Sequence, residues 1–141
     1  MNMTYQIIRL ITDSGLLVLI WLVQLVIYPS FIMFQSNKLK QWHSIYTQRV
    51  TLVVLPLMTV QLGTAIAQVW EVANWYTLLS MIGVISIWVL TFLVFVPLHR
   101  KIDVCDTYKL KNVCFKLVYY NWTRTLLWSL LFIMTVYQWF K

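Results

Sequence analysis

Four long apolar segments account for most of this chain, and they restrict the folds that it can adopt. The segments cover about residues 15–34, 50–70, 76–97 and 117–140. Each contains roughly 20 to 24 residues, and a helix of that length crosses about 30 Å of hydrocarbon. Inside lipid, a single segment satisfies its own backbone hydrogen bonds only as a helix. We therefore predict an all-α polytopic membrane protein, a four-helix transmembrane bundle in up-down-up-down order with one domain over residues 1–141.

The low content of charged residues excludes a water-soluble globular protein. Only 11% of the residues are charged and 61% are hydrophobic, whereas soluble domains carry about 25% charged residues. Because so few charges cannot cover a surface in water, lipid must surround most of the chain.

The positive charges predict the orientation of the chain in the membrane. The net charge is +7, and the connection around Glu71 contains no Lys or Arg. The other two connections hold or adjoin the basic residues Lys38, Lys40, Arg49, Arg100, Lys101, Lys109, Lys111 and Lys116. Because basic loops stay on the cytoplasmic side, we predict a multi-pass protein of the bacterial inner membrane with both termini extracytoplasmic. Membrane lipids, and not nucleic acid, are then the expected partners of the basic residues.

Polar side chains gather where the apolar segments meet the two basic connections. Helices that run up and down bring these segment ends to one membrane face. Polar side chains avoid lipid by turning toward the bundle axis. We predict a pocket open to the cytoplasm, and its expected lining residues are Gln24, Tyr28, His43, Tyr46, Arg49, His99, Asn121, Arg124 and Trp128.

The residue types in this pocket suit acid–base chemistry on a small hydrophobic or lipid-soluble molecule. An imidazole titrates near neutral pH, so His43 or His99 is expected to move a proton. Arg124 completes the predicted catalytic set by holding a polar or developing negative group. The predicted substrate-binding residues are Tyr28, Tyr46, Arg49, Asn121 and Trp128. No metal site is predicted, because the only nearby carboxylates, Asp103 and Asp106, are expected in a loop.

Two other functions stay open on the sequence alone. His43 and His99 on facing helices are able to ligate a haem iron axially, as in a b-type haem protein. Alternatively, the polar cluster holds together a non-catalytic accessory subunit or a transporter of a membrane complex. The residues do not decide between an enzyme and a binding protein, and they indicate neither a cofactor nor whether the chain forms a homo-oligomer.

Several short motifs resemble those of known membrane proteins. Trp21-Leu22-Val23-Gln24 with Tyr28-Pro29, Trp42-His43 and Val96-Pro97-Leu98-His99 resemble small, uncharacterised bacterial four-helix integral membrane proteins. More distantly, Pro97 and Asn121-Trp122-Thr123-Arg124-Thr125 resemble the anthrone-oxygenase-like membrane family.

The distant resemblance implies a four-helix fold and cofactor-independent oxidation of polycyclic aromatic substrates. It places His99, Asn121 and Arg124 within matching motifs, and the site residues it implies are those three. The family pattern commonly has an asparagine where this chain has His99, so the reaction itself is not transferred.

Overall fold

The computed structural model describes all 141 residues and contains four long helices and no strand. We number them α1 (Met3–Phe31), α2 (Ser36–Glu71), α3 (Trp75–Val104) and α4 (Thr107–Trp139). The first three are long and apolar enough to cross a membrane. The fourth is of similar length, but it carries Asn121, Thr123 and Arg124 near its middle and is less apolar.

The helices extend beyond the apolar segments seen in the sequence. α1 begins at Met3, so that Arg9 and Asp13 lie on the helix and are buried in the bundle. The second basic connection is also mostly helical, because α3 continues to Val104 and α4 starts at Thr107. No Gly or Pro interrupts residues 98–116, which explains why only a short break separates these two helices.

Consecutive helices are antiparallel. The backbone N–H of Asn2 donates to Glu71 Oε2 at 2.8 Å, which joins the start of α1 to the end of α2. Tyr76 and Thr135 form a hydrogen bond of 3.3 Å that joins the start of α3 to the end of α4. We call this the terminal end of the bundle, and we call the opposite end, with residues 32–35 and 105–106, the basic end. α1 and α3 each pack mainly against α2 and α4, so the four helices form a square.

The apolar core consists of two clusters, one nearer the terminal end of the bundle and one at the basic end. Leu16, Met58, Val84 and Trp128 belong to the cluster nearer the terminal end. The cluster at the basic end holds the buried side chains Val23, Tyr28, Phe31, Leu39, Tyr46, Phe95, Leu98, Ile102, Leu110, Cys114 and Leu117. All four helices contribute to both clusters or pack against them, so the core ties the bundle together from end to end.

A π-helical turn precedes a proline in both α1 and α3. The two turns are Val23–Ile27, before Pro29, and Thr91–Phe95, before Pro97. Proline lacks an N–H and its ring clashes with the carbonyl four residues earlier, which here lies inside each π turn. The wider turn takes up one extra residue and relieves this conflict. Tyr28 precedes Pro29 directly and His99 lies two residues after Pro97, so both π turns shape the basic end.

A candidate site built on a hydrogen-bonded chain beside an apolar cavity

Four side chains from three helices form a continuous hydrogen-bonded chain at the basic end. Asp103 Oδ1 lies 2.8 Å from His43 Nδ1, and His43 Nε2 lies 2.7 Å from His99 Nδ1. His99 Nε2 lies 3.0 Å from the hydroxyl of Tyr28. His43 and Tyr28 are buried, whereas the side chain of Asp103 is 45% exposed. The chain therefore connects the interior of the bundle to solvent at its basic end.

With Asp103 ionised and both imidazoles neutral, only one direction of donation satisfies every bond of this chain. An ionised Asp103 accepts from His43 Nδ1–H, and a neutral imidazole then accepts at Nε2. His99 must accordingly donate from Nδ1 and accept the hydroxyl proton of Tyr28 at Nε2. The oxygen of Tyr28 in turn accepts a hydrogen bond from Arg124 Nη2 at 3.2 Å. In this arrangement every donor of the chain has an acceptor.

Arg124 is a buried cation that lacks an acidic partner. Its guanidinium carbon lies 3.4 Å from the centre of the Phe95 ring. Its Nε and Nη2 donate to Asn121 Oδ1 at 3.1 and 2.5 Å. Asn121 is held by a bond of 2.9 Å from its Nδ2 to Gln24 Oε1. These partners are all neutral, and a buried charge is costly unless it is paired.

A cavity of about 320 Å³ opens beside Arg124. Its polar wall contains Tyr28, His99, Asp103 and Arg124. The rest is largely apolar and includes Val23, Tyr46, Val50, Val54, Met58, Phe92, Phe95 and Trp128. The side chains along its mouth come from α2 and α3, where Leu55 and Phe92 are exposed. A cavity of this size lies at the small end of the range of about 300–1,000 Å³ that is typical of ligand pockets.

The structure brings together most residues that the sequence singled out. Tyr28, His43, His99, Asn121 and Arg124 belong to one hydrogen-bonded network. Tyr46 and Trp128 are buried and line the cavity. Tyr46 also packs edge-on against Phe31, which in turn contacts the His43 ring.

Arg49 is the exception, since the structure does not place it in the pocket as we predicted. It is exposed on α2 and makes no hydrogen bond or ion pair. At 3.6 residues per turn, Arg49 points about 120° away from His43 around the helix. The two side chains cannot both face the bundle axis, and the one nearer the core is His43.

Asp103 and Phe95 are members of the site that the sequence did not reveal. The sequence placed Asp103 in a loop after His99, whereas the helix continues and puts both on one face. His99 and Asp103 are four residues apart, and this spacing was the available signal. Phe95 is one of many apolar residues in its segment, so nothing in the sequence distinguishes it.

A second buried polar cluster lies toward the terminal end. Arg9 Nε donates to both carboxylate oxygens of Asp13 at 3.0 and 2.8 Å. Gln61 Nε2 and Thr135 Oγ1 each donate to Asp13 at 2.6 Å. Trp128 Nε1 donates to Gln61 Oε1 at 3.4 Å, so this cluster touches the far wall of the cavity. The Asp13 carboxylate is saturated with donors, which suits a structural role.

The two histidines do not fit the axial ligands of a haem. Each imidazole nitrogen binds a metal at about 2.0–2.1 Å, so ligands on opposite sides of one ion are about 4 Å apart. His43 Nε2 and His99 Nδ1 are only 2.7 Å apart, with their rings stacked. Their remaining nitrogens already bind Asp103 and Tyr28.

No protein-family model, curated protein or solved structure matches this chain. The fold and site by themselves define a class: an all-helical protein with three helices able to cross a membrane and a buried hydrogen-bonded network beside an apolar cavity. The resemblance to the anthrone-oxygenase-like family stays a prediction.

Proposed function

We propose that this chain is a four-helix transmembrane bundle of a bacterial inner membrane, with both termini outside and the basic end in the cytoplasm. The burial pattern of α4 supports a fourth span. Its polar residues Asn121, Arg124 and Thr125 are buried toward the other helices. Its outward side chains are apolar and exposed, as seen for Leu126, Leu130 and Ile133. A helix with this arrangement suits lipid on one face and a polar site on the other.

We propose further that the cavity binds a small lipid-soluble molecule and exchanges a proton with it. The observation that carries this proposal is the position of Arg124, a buried cation without an acidic partner on the wall of an apolar cavity. Arg124 holds a polar or negatively charged oxygen of the ligand. Tyr28 and His99, which lie within hydrogen-bonding distance of each other, provide the path for the proton.

The mouth between α2 and α3 gives such a molecule a way in. Leu55 and Phe92 are exposed there, at the depth where lipid chains are expected. Arg100 and Asp103 lie at the other edge of the same mouth, toward the basic end. The opening is therefore apolar on the bilayer side and polar on the aqueous side, which matches an amphiphilic ligand.

Binding of lipid-soluble compounds to matched variants tests this function. We expect purified wild-type protein, incubated with a membrane lipid extract and washed, to retain a low-molecular-mass compound in native mass spectrometry. Arg124→Gln should reduce the retained amount at least about tenfold, because it removes the charge that faces the cavity. Arg49→Gln, the matched control on the outer face of α2, should retain as much as wild type. Equal retention by all three proteins, or none by wild type, contradicts the proposal.

A further inference from the structure

We propose that the ligand is a lipid-soluble weak acid, which enters as the neutral molecule and is held as its anion. Its ionised oxygen pairs with Arg124, and its proton leaves through Tyr28, His99 and His43 to Asp103. This inference rests on the proposed function. It adds the chemical class of the ligand and the route by which the ligand's proton leaves the cavity.

The first argument compares the two buried arginines of the chain. Arg9 has a carboxylate partner, Asp13, at 2.8 Å. Arg124 has only the neutral groups of Asn121 and Tyr28. Its Nη1 makes no hydrogen bond within the protein, although Arg124 borders the cavity. The bundle supplies Arg9 with a counter-charge but leaves Arg124 without one. We therefore expect the ligand to supply the negative charge that pairs with Arg124.

The second argument comes from the route into the cavity. A mouth that opens between exposed apolar side chains, such as Leu55 and Phe92, admits molecules that are dissolved in lipid. An ion is strongly excluded from hydrocarbon, so a molecule that enters past Leu55 and Phe92, and not past the polar edge at Arg100, is neutral. It can supply a negative charge to Arg124 only by losing a proton inside the cavity. The ligand must therefore be an acid.

The third argument is that the chain of hydrogen bonds offers this proton a complete path. The acid gives its proton to the Tyr28 oxygen while Tyr28 passes its own proton to His99 Nε2. His99 then passes its Nδ1 proton to His43 Nε2, and His43 passes its Nδ1 proton to Asp103. The acid O–H bond breaks, and one O–H bond forms on Asp103, which is 45% exposed and can release the proton to water. Both imidazoles and the tyrosine stay neutral, and the reverse movement restores the neutral acid when it leaves.

The charged and titratable groups around this path come from all four helices. Those that line the cavity or belong to the chain are Tyr28, His43, Tyr46, His99, Arg100, Asp103 and Arg124. Asp103 is the only carboxylate among them, so no other acidic side chain in the site takes up the ligand's proton or neutralises Arg124.

An alkyl-substituted 4-nitrophenol is a suitable probe, because its absorption spectrum reports directly whether it is ionised. We expect wild-type protein in phosphatidylcholine nanodiscs to bind it as the nitrophenolate one pH unit below its solution pKa. Calorimetry in buffers of different ionisation enthalpy should count about one proton released per probe bound. Dodecanoic acid, tested by calorimetry in the same way, separates a general preference for acids from a preference for phenols.

Two substitutions separate the parts of the inference. Arg124→Gln should leave bound probe neutral or abolish binding, whereas Arg49→Gln should behave as wild type. Asp103→Asn, a change at the surface, preserves an acceptor for His43 but cannot take a proton. It should slow proton release in stopped-flow measurements at least about tenfold, since acid–base groups contribute about 10²–10⁴-fold.

The outcomes distinguish failure of the inference from failure of the proposed function. Wild-type protein that retains a neutral compound from lipid extract, yet binds neither acid as an anion, overturns the inference alone. Unchanged proton-release kinetics in Asp103→Asn overturn the proton outlet. Absence of any bound lipid-soluble compound overturns both.

Discussion

The two buried arginines show that the role of a buried charged residue depends on the side chains it contacts. Arg9 and Asp13 lie one helical turn apart and form an ion pair, and both side chains are fully buried. Gln61 and Thr135 complete the set of donors around Asp13, so its carboxylate binds α1, α2 and α4 together. Arg124 lacks any such anion. We therefore propose a stabilising role for Arg9 and a ligand-binding role for Arg124.

We expect Asp13→Asn to destabilise the bundle strongly, because it leaves Arg9 as an uncompensated buried charge. Removing one partner of a buried ion pair costs about 3–5 kcal/mol. The free energy of unfolding, measured with denaturant in detergent micelles by tryptophan fluorescence, reports this loss. Asp103→Asn is the matched control and should change stability little, because its carboxylate is half exposed. Equal stability of the two variants would mean that the Arg9–Asp13 pair carries no net stabilisation.

The members of the site that were predictable from sequence are polar residues within otherwise apolar segments. His43, His99, Asn121 and Arg124 stand out for this reason, and the structure brings them together. Asp103 was not recognised, because it lies among other charged residues where a loop was expected. The direction of Arg49 was misjudged, because one polar residue at a helix end gives no indication of which face is buried. Gln24 also stands out as a polar residue in an apolar segment, but its pairing with Asn121 depends on how the helices pack.

At the level of the helices, the π turns decide where the site residues point. α1 and α3 each contain one more residue at their π turn than a regular α-helix would need there. The four helical segments were predictable from apolar length. The extension of α2 back to Ser36 was also predictable, because Trp42, Tyr46 and Arg49 recur at helical spacing. The helical continuation of α3 to Val104 and the start of α4 at Thr107 were not, since helices continue through polar residues once they are packed. The π turns were also not predicted, although Pro29 and Pro97 were visible in the sequence.

Deleting Leu93, an exposed residue in the π turn of α3, should leave the site intact. The deletion turns the π turn into an α turn and keeps the residues on both sides facing as before. Deleting Val89, an exposed residue in the preceding α-helical part, should rotate His99 by about 100° and separate it from His43. Both deleted side chains are exposed, so each deletion removes few packing contacts of the deleted residue itself.

Nitrophenol binding and thermal unfolding measure the two deletions side by side. We expect the Leu93 deletion to bind the probe but to unfold at a lower temperature than wild type, because an α turn restores the clash with Pro97. The Val89 deletion should lose binding. If both deletions abolish binding equally, the π turn does not act as an insertion that preserves the register.

At the level of the whole molecule, polar networks close both ends of the bundle and leave an opening between α2 and α3. The network around Asp13 joins the helices toward the terminal end, and the chain from Asp103 to Arg124 joins them at the basic end. Trp128 lies between the two networks and separates the cavity from the Asp13 cluster. On the proposed function, a cavity closed in this way would exchange protons with one side of the membrane only. Which side that is depends on the orientation of the chain.

The native cysteines test that orientation without new reactive groups at the basic end. Cys105 is partly exposed in the short break between α3 and α4. Cys114 is buried, and burial raises the pKa of its thiol to about 11. A thiol reacts as its thiolate, so Cys114 stays unreactive at pH 7 and begins to react only as the pH rises toward that value. At pH 7, Cys105 is then the single native site for a membrane-impermeant maleimide.

We expect intact bacterial spheroplasts to show no labelling of the wild-type protein, and permeabilised or inverted membranes to show labelling at Cys105. Cys105→Ser should abolish the signal, which confirms that Cys114 does not react. Lys141→Cys in the Cys105→Ser background places a thiol at the terminal end, and it should be labelled in intact spheroplasts. The opposite pattern would place Asp103 on the extracytoplasmic side, so that the ligand's proton would be released outside the cell rather than into the cytoplasm. The basic connections favour the cytoplasmic arrangement, because eight of the eleven Lys and Arg residues lie in or beside them.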